Sequence, residues 1–231
     1  MKLLNTCGCN SAVEYHVANV KVESSSLFSR SIKENMINLK TENNRDIFIY
    51  DDVFDSHQVQ KMYYFILNSS YNLKVNDDDF LEYKTKFSNT FGCSYPRSDA
   101  ERFKIIEYLP TDIKKKFNIS LDTCGRCLVN TITPLDTHYP HDDAGSGLMW
   151  KEHGHGLEVK WSFLYYANLK WDLEWGADTL FLTDDRTRIS QIAQCIPNRI
   201  VIFDPKIPHL IRPATMAATH YRWSINMVFT D

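Results

Sequence analysis

Four side chains in this chain have the types and order to do metal chemistry: His141, Asp143, His209 and Arg222. The first two form an H-x-D pair inside Thr137-His138-Tyr139-Pro140-His141-Asp142-Asp143, His209 follows far downstream in Pro208-His209, and Arg222 opens Arg222-Trp223-Ser224. Two imidazoles and one carboxylate occupy one face of an octahedral cation and leave the opposite face open, the donor set suited to non-haem Fe(II) and its oxygen chemistry. An arginine just past the second histidine can hold the remote carboxylate of a keto-acid cosubstrate, because its planar fork pairs bidentately and stays charged. An H-x-D pair alone, or Pro208-His209 alone, carries little weight, and a lone arginine is more often a surface ion pair. The combination, in this order and with strands around it, is what points to an iron site.

The elements that must position these groups follow from periodicity. Ile47-Phe48-Ile49-Tyr50 reads as a short apolar strand. After Asp55 or Ser56 as N-cap, the spacing of Val59, Met62, Tyr63, Phe65 and Ile66 predicts an amphipathic helix that ends at Leu67-Asn68-Ser69-Ser70. Helical stretches are also expected over Ser98 to Tyr108 and Thr111 to Phe117. From Cys124 the pattern changes to short strands at 128–133, 159–168, 178–183, 199–204 and 221–229, separated by Gly, Pro, Asp and Asn. Helices first and then many short strands give the expected fold class: mainly β with supporting α-helices, a double-stranded β-helix of jelly-roll or cupin-like type. Alternation along a strand puts His141 and Asp143 on one face and Asp142 on the other. His209, after the strand ending at Phe203 and a Pro-containing turn, then supplies the third ligand from across the barrel mouth.

The 231 residues fit one domain, and a composition of 43% hydrophobic and 24% charged residues is globular. We expect an N-terminal arm over 1–45, polar and Ser/Asn/Lys-rich with one strand at 15–20, followed by the jelly-roll domain over 46–231. A formal net charge of −3 provides no basic footprint, so nucleic acid is not an expected partner. No signal-peptide pattern and no membrane-length apolar run is present, so a cytoplasmic location without membrane contact is expected. The six cysteines fit a reducing compartment; Cys7, Cys9, Cys124 and Cys127 could be drawn together as a zinc site, but separate buried or idle thiols are the simpler reading.

With those residues in view, the chain resembles the Fe(II)/2-oxoglutarate-dependent dioxygenases, in their prolyl-hydroxylase-like branch. Beyond the ligands, Tyr165-Tyr166-Ala167-Asn168 through Trp171 resembles that branch's Tyr-Tyr-Leu-Asn…Trp segment. Trp175-Gly176-Ala177-Asp178-Thr179-Leu180-Phe181 is similar to its Gly-Gly…Leu…Phe strand, and Pro197 to Phe203 to the strand leading to its second metal histidine. The resemblance covers about residues 46 to 230. It implies Fe(II), 2-oxoglutarate as cosubstrate and O2, with His141, Asp143 and His209 as metal ligands. It implies that Arg222 binds the distal carboxylate of 2-oxoglutarate, that the Tyr166 hydroxyl joins it, and that Ser224 assists. An Asp at the middle ligand position implies hydroxylation of a C–H bond rather than halogenation. The chain departs from the branch at Thr131, where a tyrosine is frequent, at Gly176-Ala177 for Gly-Gly, at Arg222 where collagen-type members carry lysine, and in a longer span from His209 to Arg222. A small-molecule, amino-acid or peptide substrate is the expected partner. Desaturation, cyclisation or epimerisation with the same cofactors, and a non-catalytic metal-binding cupin-like protein, are the alternatives. Glu152-His153-Gly154-His155-Gly156 reads as a loop over the metal, with His153 or His155 near substrate. His138 could face the pocket or cap a turn. The tryptophans read as packing.

Overall fold

The computed structural model describes residues 36–68, 72–73, 91–95, 104–135, 140–144 and 158–230. Eleven strands form two sheets among these residues. The larger sheet runs in the order β1 (Met36–Lys40), β2 (Asp46–Tyr50), β9 (Ile200–Phe203), β6 (Val159–Tyr166), β11 (Arg222–Thr230), β5 (Cys124–Ile132), β4 (Phe91–Tyr95) and β3 (Asn72–Leu73). The smaller one runs β10 (His209–Ile211), β7 (Thr179–Leu182), β8 (Ile189–Ala193). The strands pair antiparallel throughout both sheets, and an isolated bridge between His141 and His209 adds the H-x-D segment to the edge of the smaller sheet. From β5 onward the chain passes between the two sheets, which is the path of a double-stranded β-helix.

Side-chain alternation divides the core in two. On β6, Phe163 and Tyr165 face the helices, whereas Leu164 and Tyr166 face the smaller sheet; on β9, Ile200 and Ile202 face the first way, Val201 and Phe203 the second. Because both faces of the large sheet are covered, these strands read as continuous apolar runs. The helical side consists of α1 (Ser56–Leu67), α2 (Ile105–Tyr108) and α3 (Thr111–Phe117). Helix α1 buries Val59, Met62 and Ile66, and starts in a capping box: the Gln58 amide donates to Asp55 Oδ1 at 2.8 Å, and the Asp55 amide to Gln58 Oε1 at 3.1 Å. Among the described residues no helix is long and apolar enough to cross a membrane.

Three differences from the sequence reading have physical causes. Among the described residues the first strand of the sheet is Met36–Lys40, ahead of the boundary expected at residue 46, and it pairs residue for residue with β2. Its side chains are largely exposed, so no buried face marks it. The loop after it ties the two sheets together: Arg45 Nη1 lies 2.7 Å from Asp184 Oδ1, Asn43 also bonds Asp184, and Gln191 Nε2 donates to the Lys40 carbonyl at 2.8 Å. Strand β8 was hidden for the same reason, since Ile189 and Ile192 point outward. Strand β4 lies in a stretch that reads as turn-rich. The strand expected at 15–20, Cys7 and Cys9, and residues 98–103 of an expected helix lie outside the described residues.

Candidate functional site

His141, Asp143 and His209 meet, with one potential ligand atom from each lying within 4.8 Å of the others. The means differs from the expected strand alternation. Residue 141 is a single bridge and 143 a bend, and backbone pairing does the placing: His141 N–H donates to the His209 carbonyl at 3.1 Å, and His209 N–H to the His141 carbonyl at 2.8 Å. The Asp143 amide then donates to the Pro205 carbonyl at 2.9 Å, which turns the segment inward. On the outer side Asp142 pairs with Arg186 at 3.1 Å, and Arg186 Nη1 donates to the Pro140 carbonyl at 3.2 Å.

His209 opens β10 and is buried. Its Nδ1 sits 3.0 Å from the Ile207 carbonyl oxygen. A carbonyl only accepts, so Nδ1 carries a proton and Nε2 is the ring atom turned toward the site, the arrangement that orients a metal-binding imidazole. Phe203 and Phe181 pack against the ring at centroid distances of 4.9 and 6.2 Å.

The Asp143 carboxylate is held at both oxygens. The Ser162 hydroxyl donates to Oδ2 at 2.6 Å, and Arg126 Nη2 to Oδ1 at 3.2 Å. Burial alone would push this carboxyl up. The positive potential of His209, Arg126 and His141, with the Ser162 hydrogen bond, outweighs burial and holds it well below the usual carboxylate range. The group is therefore anionic at neutral pH, as a metal ligand must be. Arg126 and Ser162 escaped the sequence reading. Ser162 is the polar interruption in Trp161-Ser162-Phe163 on a strand buried on both faces. Arg126 sits between Cys124 and Cys127, where the cysteines drew attention; Cys127 packs on the helix side of β5 and Arg126, the residue before it, points the other way, with a register shift separating it from Cys124.

Arg222 starts β11 and is fully buried. Its Nη1 donates to Ser224 Oγ at 3.2 Å and its Nη2 to Thr179 Oγ1 at 3.4 Å, while Nε has no acceptor among the described residues. No described carboxylate lies within 4.0 Å of the guanidinium. The guanidinium carbon lies 4.9 Å from the Tyr166 ring centroid, over its face. The Tyr166 hydroxyl, pushed up to about 12 by burial, stays neutral within 2.9 Å of Thr179 Oγ1 and 3.1 Å of the Ala193 carbonyl. Burial likewise pushes the neighbouring Cys195 thiol up to about 11. Thr179, another residue not singled out from sequence, joins the two halves of the site. It stands two residues from Phe181 on β7, opposite Ile211 as Phe181 is opposite His209. Thr179, which Arg222 touches, is thus one pleat, roughly 7 Å, along β7 from the residue paired with His209.

The remaining residues singled out from sequence divide simply. His138, Trp150, Glu152, His153 and His155 lie outside the described residues. Trp171 and Trp175 pack edge to face at 5.1 Å, His220 stacks on Trp175 at 5.7 Å, and Trp161 packs on Phe117 and Phe48.

No protein-family model matches the chain, and no curated protein does. Solved structures do match in fold. A 2OG-Fe(II) oxygenase family oxidoreductase from Burkholderia pseudomallei aligns with a TM-score of 0.57 at 10% identity, over 80% of this chain and 84% of its own. A Pseudomonas putida prolyl-4-hydroxylase aligns at 0.52 and 11% identity, over 80% and 92%. A prolyl hydroxylase from Trichoplax adhaerens, solved with a hypoxia inducible factor oxygen degradation domain peptide fragment, aligns at 0.52 and 13% identity, over 80% and 83%. The chain therefore has the jelly-roll fold found in 2OG-Fe(II) oxygenases, prolyl hydroxylases among them.

Proposed function

We propose that this chain is an Fe(II)- and 2-oxoglutarate-dependent oxygenase that hydroxylates a C–H bond, converting 2-oxoglutarate and O2 to succinate and CO2 as it does so. The observation that carries the reading is Arg222: a fully buried cation with no described carboxylate beside it, bonded to Thr179, which stands one pleat along β7 from the residue paired with the metal-cluster residue His209. Burying an unpaired charge is expensive unless an anion completes it. A five-carbon diacid chelating a metal at the cluster would present its far carboxylate at that distance.

His141, Asp143 and His209 would hold the metal, which with the keto acid bound would supply the activation of O2, the oxidant of both the keto acid and the C–H bond. Ser162 and Arg126 fix the carboxylate of Asp143, and the Ile207 carbonyl fixes the ring of His209. Ser224 and Thr179 aim Arg222 at the remote carboxylate, and the Tyr166 ring forms the floor beneath it. Phe181, Phe203 and Leu164 make the surroundings apolar, which strengthens each of these contacts and limits water. The fold neighbours support an oxygenase, and their prolyl substrates are theirs.

Anaerobic titration with Fe(II) and 2-oxoglutarate tests this, through the weak visible charge-transfer band of the chelate. The band should form in the parent protein and vanish in His141→Ala. Metal binding without any band would leave the oxygenase reading without support.

A further inference from the structure

The charges in the site leave one cation over. With iron and 2-oxoglutarate bound, the two charges of the metal are met by Asp143 and the carboxylate of the keto acid that chelates it, and Arg222 is met by the distal carboxylate. Arg126 remains. It faces the same space between the sheets, because the next residue, Cys127, packs against the helices and Arg126 itself reaches Asp143. Its contact with Asp143 is a single N–H at 3.2 Å, to a carboxylate that also receives the Ser162 hydroxyl, and its Nε has no acceptor among the described residues. An arginine binds a carboxylate most strongly through both arms of its fork, and Arg126 uses one here. Its side chain is more open than those of Asp143 and His209, 28% exposed against 12% and 10% among the described residues. A second reactant at the metal can therefore touch it.

We propose that Arg126 anchors the primary substrate, and that this substrate carries a carboxylate placed so that the oxidised carbon lies beside the metal. The proposal rests on the oxygenase reading and extends it to a substrate class. A carboxylate there would give the Arg126 guanidinium a charge-assisted partner and bring the occupied site close to neutrality. The same chemistry could come from a free amino acid or from an acidic side chain in a peptide.

The test is calorimetric titration of the full chain, loaded with Mn(II) and 2-oxoglutarate, with matched acid and amide pairs. One arm uses free L-amino acids against their amides. The other uses acetylated, amidated tripeptides centred on Asp or Glu against those centred on Asn or Gln. We expect at least one acid to bind about tenfold or more tightly than its amide. The arm in which it appears identifies the source. The preference should vanish in Arg126→Gln and persist in part in Arg126→Lys. If the parent protein shows no heat for Mn(II) or 2-oxoglutarate, the oxygenase reading falls and takes this proposal with it. If loading is normal but no acid binds, acids and amides bind alike, or the preference survives in Arg126→Gln, the proposal alone falls. Because Arg126→Gln loses the hydrogen bond that Arg126 donates to Asp143, it is titrated at Mn(II) and 2-oxoglutarate concentrations that saturate it; the proposal also falls if it cannot be loaded at any concentration.

Discussion

Replacing Arg222 with methionine should make the ligand-free protein more stable and blind to 2-oxoglutarate. Without ligand the guanidinium is fully buried, holds two hydroxyls at 3.2 and 3.4 Å, and leaves Nε unsatisfied among the described residues. An unsatisfied buried donor costs about 1–3 kcal/mol, more when the group is charged. Methionine fills much the same length with apolar atoms. The orphaned hydroxyls keep partners, since Thr179 retains Tyr166 at 2.9 Å and Ser224 retains Asn226 at 3.4 Å. A net gain of about 1–2 kcal/mol is expected, or roughly 2–8 °C in Tm for a domain of this size. With 2-oxoglutarate the sign reverses. Removing one partner of a buried, charge-assisted pair costs about 3–5 kcal/mol, or roughly 10²–10⁴-fold in affinity. Thermal melts with Mn(II), with and without 2-oxoglutarate, measure both effects. In the parent, ligand at 100 times its Kd should add about 2.7 kcal/mol, and the variant should show almost none of this. A variant that melts below the parent without ligand, or that keeps the full ligand-induced shift, would refute the reasoning.

Three further outcomes follow from the geometry. Ser162→Ala removes the 2.6 Å hydrogen bond to Asp143 and should weaken Mn(II) binding about 10–100-fold, as titration calorimetry would show; unchanged affinity would mean that the bond does not support the metal ligand. Because the Asp143 carboxyl is depressed in the folded state, its contribution to stability is complete above the unfolded carboxylate range near about 4, and is lost as pH falls through the lower folded value. Urea melts of metal-free parent and Asp143→Asn should therefore differ by a constant amount above about pH 5 and converge on acidification, and parallel curves would contradict the assignment. Gly176→Ala should destabilise by about 1–3 kcal/mol in denaturant melts, because φ is +67° there and a Cβ would meet the Pro213 carbonyl oxygen at 3.2 Å; a neutral result would show that the loop relaxes.

The sequence revealed the parts of this site whose signals are chemical or periodic. Histidine, aspartate and arginine in order, on strands with uninterrupted apolar runs such as Ile200–Phe203, needed no coordinates to be singled out. Two kinds of residue were invisible. Arg126, Ser162 and Thr179 matter because of what the barrel folds onto them, and a lone polar residue on a strand does not declare which wall it faces until the register is fixed. Strands β1 and β8 are edge strands with largely exposed side chains, held by backbone pairing and by ties such as Arg45–Asp184, so no buried face marks their short apolar stretches as strands. The H-x-D segment belongs to both groups. Its chemistry was evident, but its shape was not: the backbone bridge from His141 to His209, rather than strand alternation, is what brings the ligands together.

The arrangement of charge also separates an oxygenase from a protein that keeps a metal only for stability. A structural metal site gathers enough negative charge to balance its cation. Here one carboxylate faces two histidines, a dication would be added, and two arginines stand nearby, one bonded to that carboxylate and the other wholly buried. Metal alone would leave the space strongly positive, and a dianionic cosubstrate would offset most of that excess. Metal and 2-oxoglutarate should therefore bind with positive coupling of about 1–3 kcal/mol, or roughly 5–150-fold, and thermodynamic linkage makes the coupling equal in both directions. Calorimetric Mn(II) titrations with and without 2-oxoglutarate, and the reverse pair, measure it twice. Arg222→Met should bind metal alone at least as well as the parent and lose most of the coupling. Tight metal binding indifferent to 2-oxoglutarate, in parent and variant alike, is instead what a purely structural metal would give.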